Sequence, residues 1–158
     1  MNVAIVGATG YGGIQAVNLL KNNKNYKISY LGGNKSSGSK WNDNFPFIHL
    51  DSDLFIEKIS VDNISNNANI ALLCLPNGIS STLTRGLLDK GVKVIDLSAD
   101  YRYKSLEEWK KVYTREASIY KRNDDDLCKE AIYGLPEINK DAISKGRLIA
   151  CPGCYPTS

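Results

Sequence analysis

The stretch "NVAIVGATGYGGIQAV", residues 2–17, decides the fold, because three features follow one another directly in it. Asn2 to Val6 predicts a short buried strand, and glycines then occupy positions 7, 10 and 13. From Ile14 to Lys21 apolar residues recur at helical spacing, which predicts a helix. Glycines between a strand and a helix let backbone N–H groups approach a pyrophosphate at the helix N-terminus. The stretch therefore predicts a dinucleotide-binding turn; the alternative is a glycine turn that only connects strand to helix.

Strands and helices continue to alternate along the chain. Tyr26 to Gly33, Ala68 to Pro76 and "VKVIDLS", residues 92–98, predict three more strands. Residues 78–91 predict a helix between the last two of them. A crossover between parallel strands needs a connection of helix size. The predicted fold class is therefore α/β, a Rossmann-like doubly wound, mostly parallel sheet with helices on both faces.

The pattern is less regular after the strand at residues 92–98. Residues 105–117 predict one helix, and residues 120–130 predict a polar loop. Three adjacent carboxylates, Asp124 to Asp126, predict a solvated surface turn within that loop, because they lack the spacing of a calcium-binding loop. A short helix and a last strand, Arg147 to Ala150, are expected to complete a single domain over residues 1–150.

Composition and charge narrow the function. The 20 basic and 17 acidic residues give a net charge of +3 and are scattered, so we expect no nucleic-acid partner. The N-terminus has an apolar run of only four residues, which predicts neither a signal peptide nor a membrane span. We therefore expect a cytoplasmic protein with no membrane partner, whose four cysteines are thiols.

The glycine turn and the end of the second strand together predict the cofactor. Enzymes that use NAD usually carry Asp or Glu at the end of that strand, which binds the ribose 2′-hydroxyl. Here "LGGNKSSGSK" has no carboxylate from residue 32 to residue 40, whereas Lys35, Ser36, Ser37 and Lys40 suit a 2′-phosphate. NADP(H) is therefore the predicted cofactor, although such residues also occur in any flexible loop. The predicted cofactor residues of the glycine turn are Gly7, Thr9, Gly10, Tyr11, Gly12 and Gly13.

Five motifs together give a family resemblance. They are "VGATGYGG" at residues 6–13, "CLPNG" at 74–78, "VIDLSADYR" at 94–102, "YGLPE" at 133–137 and "CPGCYPTS" at 151–158. In order and spacing they resemble the N-acetyl-γ-glutamyl-phosphate reductase family of arginine biosynthesis across the whole chain. The resemblance implies that residues 1–150 are an NADP-binding domain and that residues 151–158 begin the catalytic-cysteine segment. In the family a substrate domain with a histidine general base follows, so we expect this chain to be a fragment that is inactive alone.

The resemblance also implies roles for single residues. Cys154 matches the nucleophile that attacks an acyl phosphate, and its place after a Pro-Gly turn at a helix start favours a thiolate. The implied cofactor residues outside the glycine turn are Pro76, Asn77 and Ser98, and the implied substrate residues are Asp100 and Arg102. For "DLSADYR" the alternative is a hydrogen-bonded loop that stabilises the fold. Arg102 can bind a substrate anion or pair with Asp100.

The C-x-x-C spacing of Cys151 and Cys154 has other interpretations. A zinc site needs a second pair of ligands, and Cys74 and Cys128 are far apart in the sequence, so we predict no metal. The family usually has Asn at the position of Cys151, which leaves a second hypothesis: an NADP-binding domain that senses redox state through Cys151 and Cys154. Apolar surface that normally meets the next domain predicts a homo-oligomer.

Overall fold

Seven parallel strands form one sheet in the computed structural model, which describes residues 1–157. Ser158, the last residue of the predicted cysteine segment, lies outside the described residues. The sheet order is β3-β2-β1-β4-β5-β7-β6. The strands are β1 (Asn2–Val6), β2 (Lys27–Gly32), β3 (Ile56–Glu57), β4 (Ile70–Leu73), β5 (Lys93–Asp96), β6 (Ile132–Tyr133) and β7 (Leu148–Ala150). The helices are α1 (Tyr11–Leu20), α2 (Trp41–Asn44), α3 (Val61–Asn67), α4 (Ser80–Asp89), α5 (Leu106–Val112), α6 (Thr114–Ile119), α7 (Asp125–Glu130), α8 (Pro136–Lys145) and α9 (Cys154–Thr157).

The core lies on both faces of the sheet, as the doubly wound prediction requires. Ile5 packs with Val17 of α1 in one apolar cluster, whereas Val6 packs with Leu87 of α4 in the other. This follows from the two-residue period of a strand, which turns neighbouring side chains to opposite faces. A strand covered on both sides must be apolar throughout, and residues 4–6 have no exposed area. The predicted α/β fold class is confirmed.

The strand order reverses between β1 and β4, and this point positions the site. The chain runs outward from β1 through β2 to β3, then returns to β4 on the other side of β1. Loops after two neighbouring strands therefore diverge to opposite faces and leave a crevice at their carboxyl ends, where doubly wound proteins bind ligands. Because all the strand pairings are parallel, the loops after β1, β4, β5 and β7 emerge at the same edge of the sheet, the one formed by the carboxyl ends of the strands.

Three predicted elements were wrong in detail. Helix α1 begins at Tyr11 rather than Ile14, because Gly12 and Gly13 are already helical. The predicted helix at residues 105–117 is two helices, α5 and α6, separated at Tyr113. Residues 120–130 are not a polar loop: Asp125 to Glu130 form α7, and its Leu127 is buried in the core.

Asp124 is buried rather than part of a solvated turn, because it has a buried partner. The guanidinium of Arg122 donates from Nε and Nη2 to the two carboxylate oxygens of Asp124, at 3.0 and 2.9 Å. Tyr101 donates its hydroxyl to the same carboxylate at 2.7 Å. The rings of Tyr101 and Trp109 lie 5.0 and 4.5 Å from the Arg122 guanidinium carbon. A buried charge persists only where such partners satisfy it, and this cluster anchors the segment before α7 to the loop after β5.

No helix within residues 1–157 has both the length and the apolar character needed to cross a membrane.

Candidate active site

Two glycines of the turn after β1 are required by the fold itself. Gly7 has a φ of +83°, and a Cβ at this position would overlap the carbonyl oxygen of Cys74. A Cβ on Gly13 would overlap the carbonyl oxygen of Gly7, which packs against the start of α1. The close packing of strand, turn and helix therefore explains these two glycines without any ligand.

Gly10 and Gly12 have no such requirement. The nearest atom to a Cβ on Gly10 would be the Gly7 carbonyl oxygen at 3.5 Å, and for Gly12 it would be a Leu97 methyl at 3.8 Å. Both residues are exposed, and Gly10 has an ordinary φ of −82°. The first N–H groups of α1 have no carbonyl partner within the helix, and its first turn holds no acidic residue. These exposed donors suit a bound pyrophosphate, which needs a backbone without side chains in its way.

The predicted 2′-phosphate residues lie directly beyond β2. Lys35 and Ser37 are exposed and Ser36 is half-buried. Thr9 reaches this end of the sheet, because its Cγ2 would lie 3.4 Å from a Cβ on Gly33. Lys40 instead pairs with Asp53 at 3.1 Å. Lys35 is thus exposed in the loop that directly follows the contact between Gly33 and Thr9, whereas Lys40 is engaged with Asp53.

The loop after β4 is tied to the loop after β5 by hydrogen bonds. The side-chain oxygen of Asn77 accepts from the N–H of Ala99 at 2.9 Å. The carboxylate of Asp100 accepts from the N–H groups of Gly78 and Ser81, at 2.6 and 2.9 Å. Asp100 has no exposed area, so it caps the start of α4 and does not face a cleft. This geometry favours the hydrogen-bonded-loop alternative for Asp100 over the implied role in binding substrate. Pro76 is exposed on the same loop.

Ser98 is also used within the loop. Its hydroxyl donates to the carboxylate of Asp96 at 2.7 Å and accepts from the N–H of Asp100 at 3.1 Å. The N–H of Ser98 donates to the other Asp96 oxygen at 3.0 Å. Asp96 has no exposed area, and burial raises its pKa to about 6, with the Asp100 charge adding to the rise. Ser98 is only 4% exposed, which favours a structural role over direct cofactor contact.

The raised pKa of Asp96 predicts a pH dependence of stability. Its pKa of about 6 lies above the value near 3.9 of an unfolded Asp, so the folded state binds the proton more tightly. The stability contributed by this proton is present below about pH 4 and is lost as the pH rises to about 6. The change is on the order of 3 kcal/mol. In Asp96→Asn we expect the free energy of unfolding, measured with urea between pH 4 and 8, to lose this decline. The exposed control Asp51→Asn should keep it, and an unchanged decline in Asp96→Asn would contradict the prediction.

The cysteine segment follows β7 at the same edge of the sheet. Cys151 donates its N–H to the carbonyl of Asp96 at 2.8 Å, and its own carbonyl accepts from Arg102 Nε at 2.8 Å. Cys154 begins α9 and is exposed. A cleft of about 470 Å³ opens in front of it, lined by Arg102, Tyr103, Tyr113, Tyr133, Gly153, Cys154 and Tyr155. Arg102 thus reaches the cleft and binds backbone carbonyls, whereas the cation that faces Asp100 is Arg122, at 3.9 Å.

The other thiols near this edge are held in the protonated form. Burial raises the pKa of Cys74 to about 12 and the pKa of Cys151 to about 11. The nucleophile and metal ligand is the thiolate, so Cys151 is a poor partner for thiol exchange at neutral pH. Within residues 1–157, no group of three or more His, Cys, Asp and Glu side chains is placed to hold a metal. Cys154 is the exposed cysteine of the four.

The four tyrosines that line the cleft are not among the predicted site residues: Tyr103, Tyr113, Tyr133 and Tyr155. Tyr113 falls within the single helix predicted for residues 105–117, and the break between α5 and α6 instead places it at the cleft. Tyr103 directly follows the motif "DLSADYR" and Tyr133 begins the motif "YGLPE", so the two motifs were the available signal in the sequence. His49, the single histidine of the sequence, is exposed in the loop between α2 and β3. Strand β3 lies at the opposite end of the sheet from β7, which precedes Cys154.

The glycine turn, the strand order and the shared edge define a class of protein. From β1 to β7 there are three strand spacings, so the turn and the cysteine segment lie about 14 Å apart along one edge. A glycine turn at the switch point of a parallel sheet is the arrangement that binds nicotinamide dinucleotides. The class is that of a Rossmann-type, dinucleotide-binding domain.

Comparison with known proteins identifies the family. Residues 2–146 match the family model described as semialdehyde dehydrogenase, NAD binding domain, and the chain belongs to this family. Over all 158 residues it is 87% identical to N-acetyl-gamma-glutamyl-phosphate reductase of Prochlorococcus marinus strain MIT 9301. The chain spans 45% of the length of that relative.

Solved structures show the same fold. Aspartate semialdehyde dehydrogenase II of Vibrio cholerae, complexed with ASA, matches 98% of this chain and 42% of its own with a TM-score of 0.65 and 22% identity. Aspartate semialdehyde dehydrogenase of Candida albicans, solved with NADP, matches 98% of this chain and 43% of its own with a TM-score of 0.61 and 16% identity.

Proposed function

We propose that this chain is the cofactor-binding part of an N-acetyl-γ-glutamyl-phosphate reductase, which reduces an acyl phosphate to a semialdehyde with NADPH. The observation that carries the proposal is the 87% identity to such a reductase over the whole chain. The site agrees with it, because the exposed thiol of Cys154 and the glycine turn share one edge of the sheet. The substrate class is a small acyl phosphate.

The cofactor would lie along the carboxyl edge. The N–H groups at the start of α1, above Gly10 and Gly12, would hold its pyrophosphate. Pro76 and Asn77, on the loop after β4, would border the nicotinamide, and NADPH supplies a hydride when bound. The amide nitrogen of Asn77 remains to donate a hydrogen bond, because Ala99 occupies its oxygen.

Cys154 would act as the nucleophile. Its sulfur attacks the acyl carbon, a C–S bond forms, the C–O bond to phosphate breaks and phosphate leaves. The thioester carbon then accepts a hydride, and the C–S bond breaks as the aldehyde forms and the thiolate returns. Arg102, on the wall of the same cleft, would bind the substrate phosphate or carboxylate through its free N–H groups. The proton donor would belong to the part of the relatives that this chain does not cover.

The decisive experiment is calorimetric titration of the chain with NADPH and with NADH. We expect NADPH to bind more tightly, because Lys35, Ser36 and Ser37 can contact a 2′-phosphate and no carboxylate stands between residues 32 and 40. Absence of binding by both dinucleotides would remove the proposed function. Tighter binding of NADH would overturn the proposed NADP preference alone.

Lys35 gives the sharper prediction on cofactor choice. Because a hydrogen bond to a charged group contributes about 1.5–3 kcal/mol, Lys35→Ala should lower NADPH affinity about 10-fold or more. NADH affinity should stay within about 2-fold, since NADH lacks the 2′-phosphate. Lys24→Ala, an exposed lysine between α1 and β2 at the other edge of the sheet, is the matched control. Equal losses for both dinucleotides in Lys35→Ala would contradict a 2′-phosphate contact.

We further propose that the whole protein works in the cytoplasm as a homo-oligomer. The four cysteines are free thiols, as a reducing compartment would keep them. Phe47 and Ile138 leave 97% and 72% of their surface exposed, which suits contact with another chain. Light scattering after size exclusion tests the oligomer, and a monomer at micromolar concentration would refute it.

A further inference from the structure

In the candidate site, Arg102 binds backbone carbonyls of two chain segments, one after β5 and one after β7. Its Nε donates to the carbonyl of Cys151 at 2.8 Å, and its Nη2 donates to the carbonyl of Leu97 at 3.2 Å. Leu97 follows β5 and Cys151 follows β7, and these two strands are neighbours in the sheet. The guanidinium therefore joins two chain segments just beyond the point where their strand pairing ends.

The bond from Arg102 to the Cys151 carbonyl holds the chain at the point where the strand pairing ends. The N–H of Cys151 still continues the strand pairing by donating to Asp96, but the next residue is Pro152, which has no N–H to donate. Cys154 follows three residues after Cys151, so the Cα atoms of these two residues lie within about 11 Å of each other. A displacement of about 1 Å at a reacting atom can cost about 100-fold in rate.

We propose that Arg102 is a positioning residue for Cys154, which acts through the carbonyl of Cys151 as well as through any contact with substrate. A guanidinium has five N–H donors in a fixed planar fork, and the two backbone bonds leave others to face the cleft. A substrate anion bound by Arg102 would therefore have a fixed position relative to the segment that carries Cys154. This inference rests on the proposed function for its catalytic meaning, but its structural part stands alone.

The first test measures the loosening of the segment without any activity assay. In Arg102→Gln and in Arg102→Lys, we expect the half-buried Cys151 to react with a disulfide reagent at least about 10-fold faster than in the wild type. A lysine keeps the charge, but its single ammonium has no planar fork to bridge both carbonyls. Cys128, the buried thiol of α7, is the internal control and should stay unreactive in both variants. Peptide mass spectrometry distinguishes the cysteines, and circular dichroism confirms that each variant is folded.

The second test separates an effect on substrate binding from an effect on the chemical step in the full-length protein. Positioning predicts that kcat falls about 100-fold in both variants while KM for the acyl phosphate rises less than about 3-fold in Arg102→Lys. Unchanged Cys151 labelling in both folded variants would overturn the proposal, as would full rescue of kcat by lysine. Faster Cys151 labelling in a protein that has no reductase activity would sink the proposed function and keep the positioning role.

Discussion

Full-length protein with Cys154→Ser is expected to lose at least about 10⁴-fold in the rate of NADPH oxidation driven by the acyl phosphate. The chemistry requires a thiolate, and a serine hydroxyl at the same place remains protonated near neutral pH. The position supports the prediction, because Cys154 is exposed at a cleft of about 470 Å³ that Arg102 also lines. Cofactor binding should be unchanged, since the proposed contacts to the dinucleotide lie after β1, β2 and β4.

Cys151→Ser is the matched control for this prediction. The change is chemically the same and only three residues away, but Cys151 is half-buried and burial raises the pKa of its thiol to about 11. We therefore expect the rate to stay within about 3-fold of the wild type. Loss of activity in both variants would favour a redox dithiol instead, and near-normal activity in Cys154→Ser would remove this residue as the nucleophile.

The sequence was sufficient to predict five of the seven strands, because these five carry their own signal. A strand buried on both faces is a continuous apolar run, and "VAIV" followed by glycines leaves few alternatives. The short edge strands β3 and β6 have two residues each and no such signal. They pair with the neighbouring strands β2 and β7, and their own composition does not predict this pairing.

The segment before α7 was misread for a different reason. "RNDDD" has the composition of a surface turn, and nothing local indicates that Arg122 and Asp124 are buried. Their burial depends on Tyr101 and Trp109, which are distant in the sequence and supply a hydrogen bond and two ring faces. Local pattern cannot predict a buried ion pair whose partners come from other elements.

The same limit applied to the loop after β5. "DLSADYR" predicted that polar residues gather at the strand end, and they do. Which of them face the cleft is decided by hydrogen bonds: Ser98 and Asp100 are buried within the loops, whereas Arg102 extends to the cysteine segment. Periodicity gives the place of a loop, but the side-chain directions depend on contacts between separate loops.

In the glycine turn, Gly7 is required for stability, whereas Gly10 is expected to be required for binding the cofactor. Gly7→Ala should destabilise the protein by about 4 kcal/mol or more, because a Cβ would overlap the Cys74 carbonyl and φ is +83°. Gly10→Ala should change the free energy of unfolding by no more than about 1 kcal/mol, since its φ of −82° and its open surroundings accept a methyl group. Its NADPH affinity should nevertheless fall at least about 10-fold, because the methyl group would stand where the pyrophosphate must approach the backbone.

Urea unfolding and calorimetric titration on the same two variants separate these effects. A destabilised Gly7→Ala that still binds NADPH when folded, beside a stable Gly10→Ala that does not, is the expected pair of results. Near-normal NADPH affinity in Gly10→Ala would mean that the turn only connects β1 to α1, which was the alternative for this stretch of sequence. A Gly10→Ala variant as unstable as Gly7→Ala would instead show that all of these glycines serve packing, and the start of α1 would lose its argument as the pyrophosphate site.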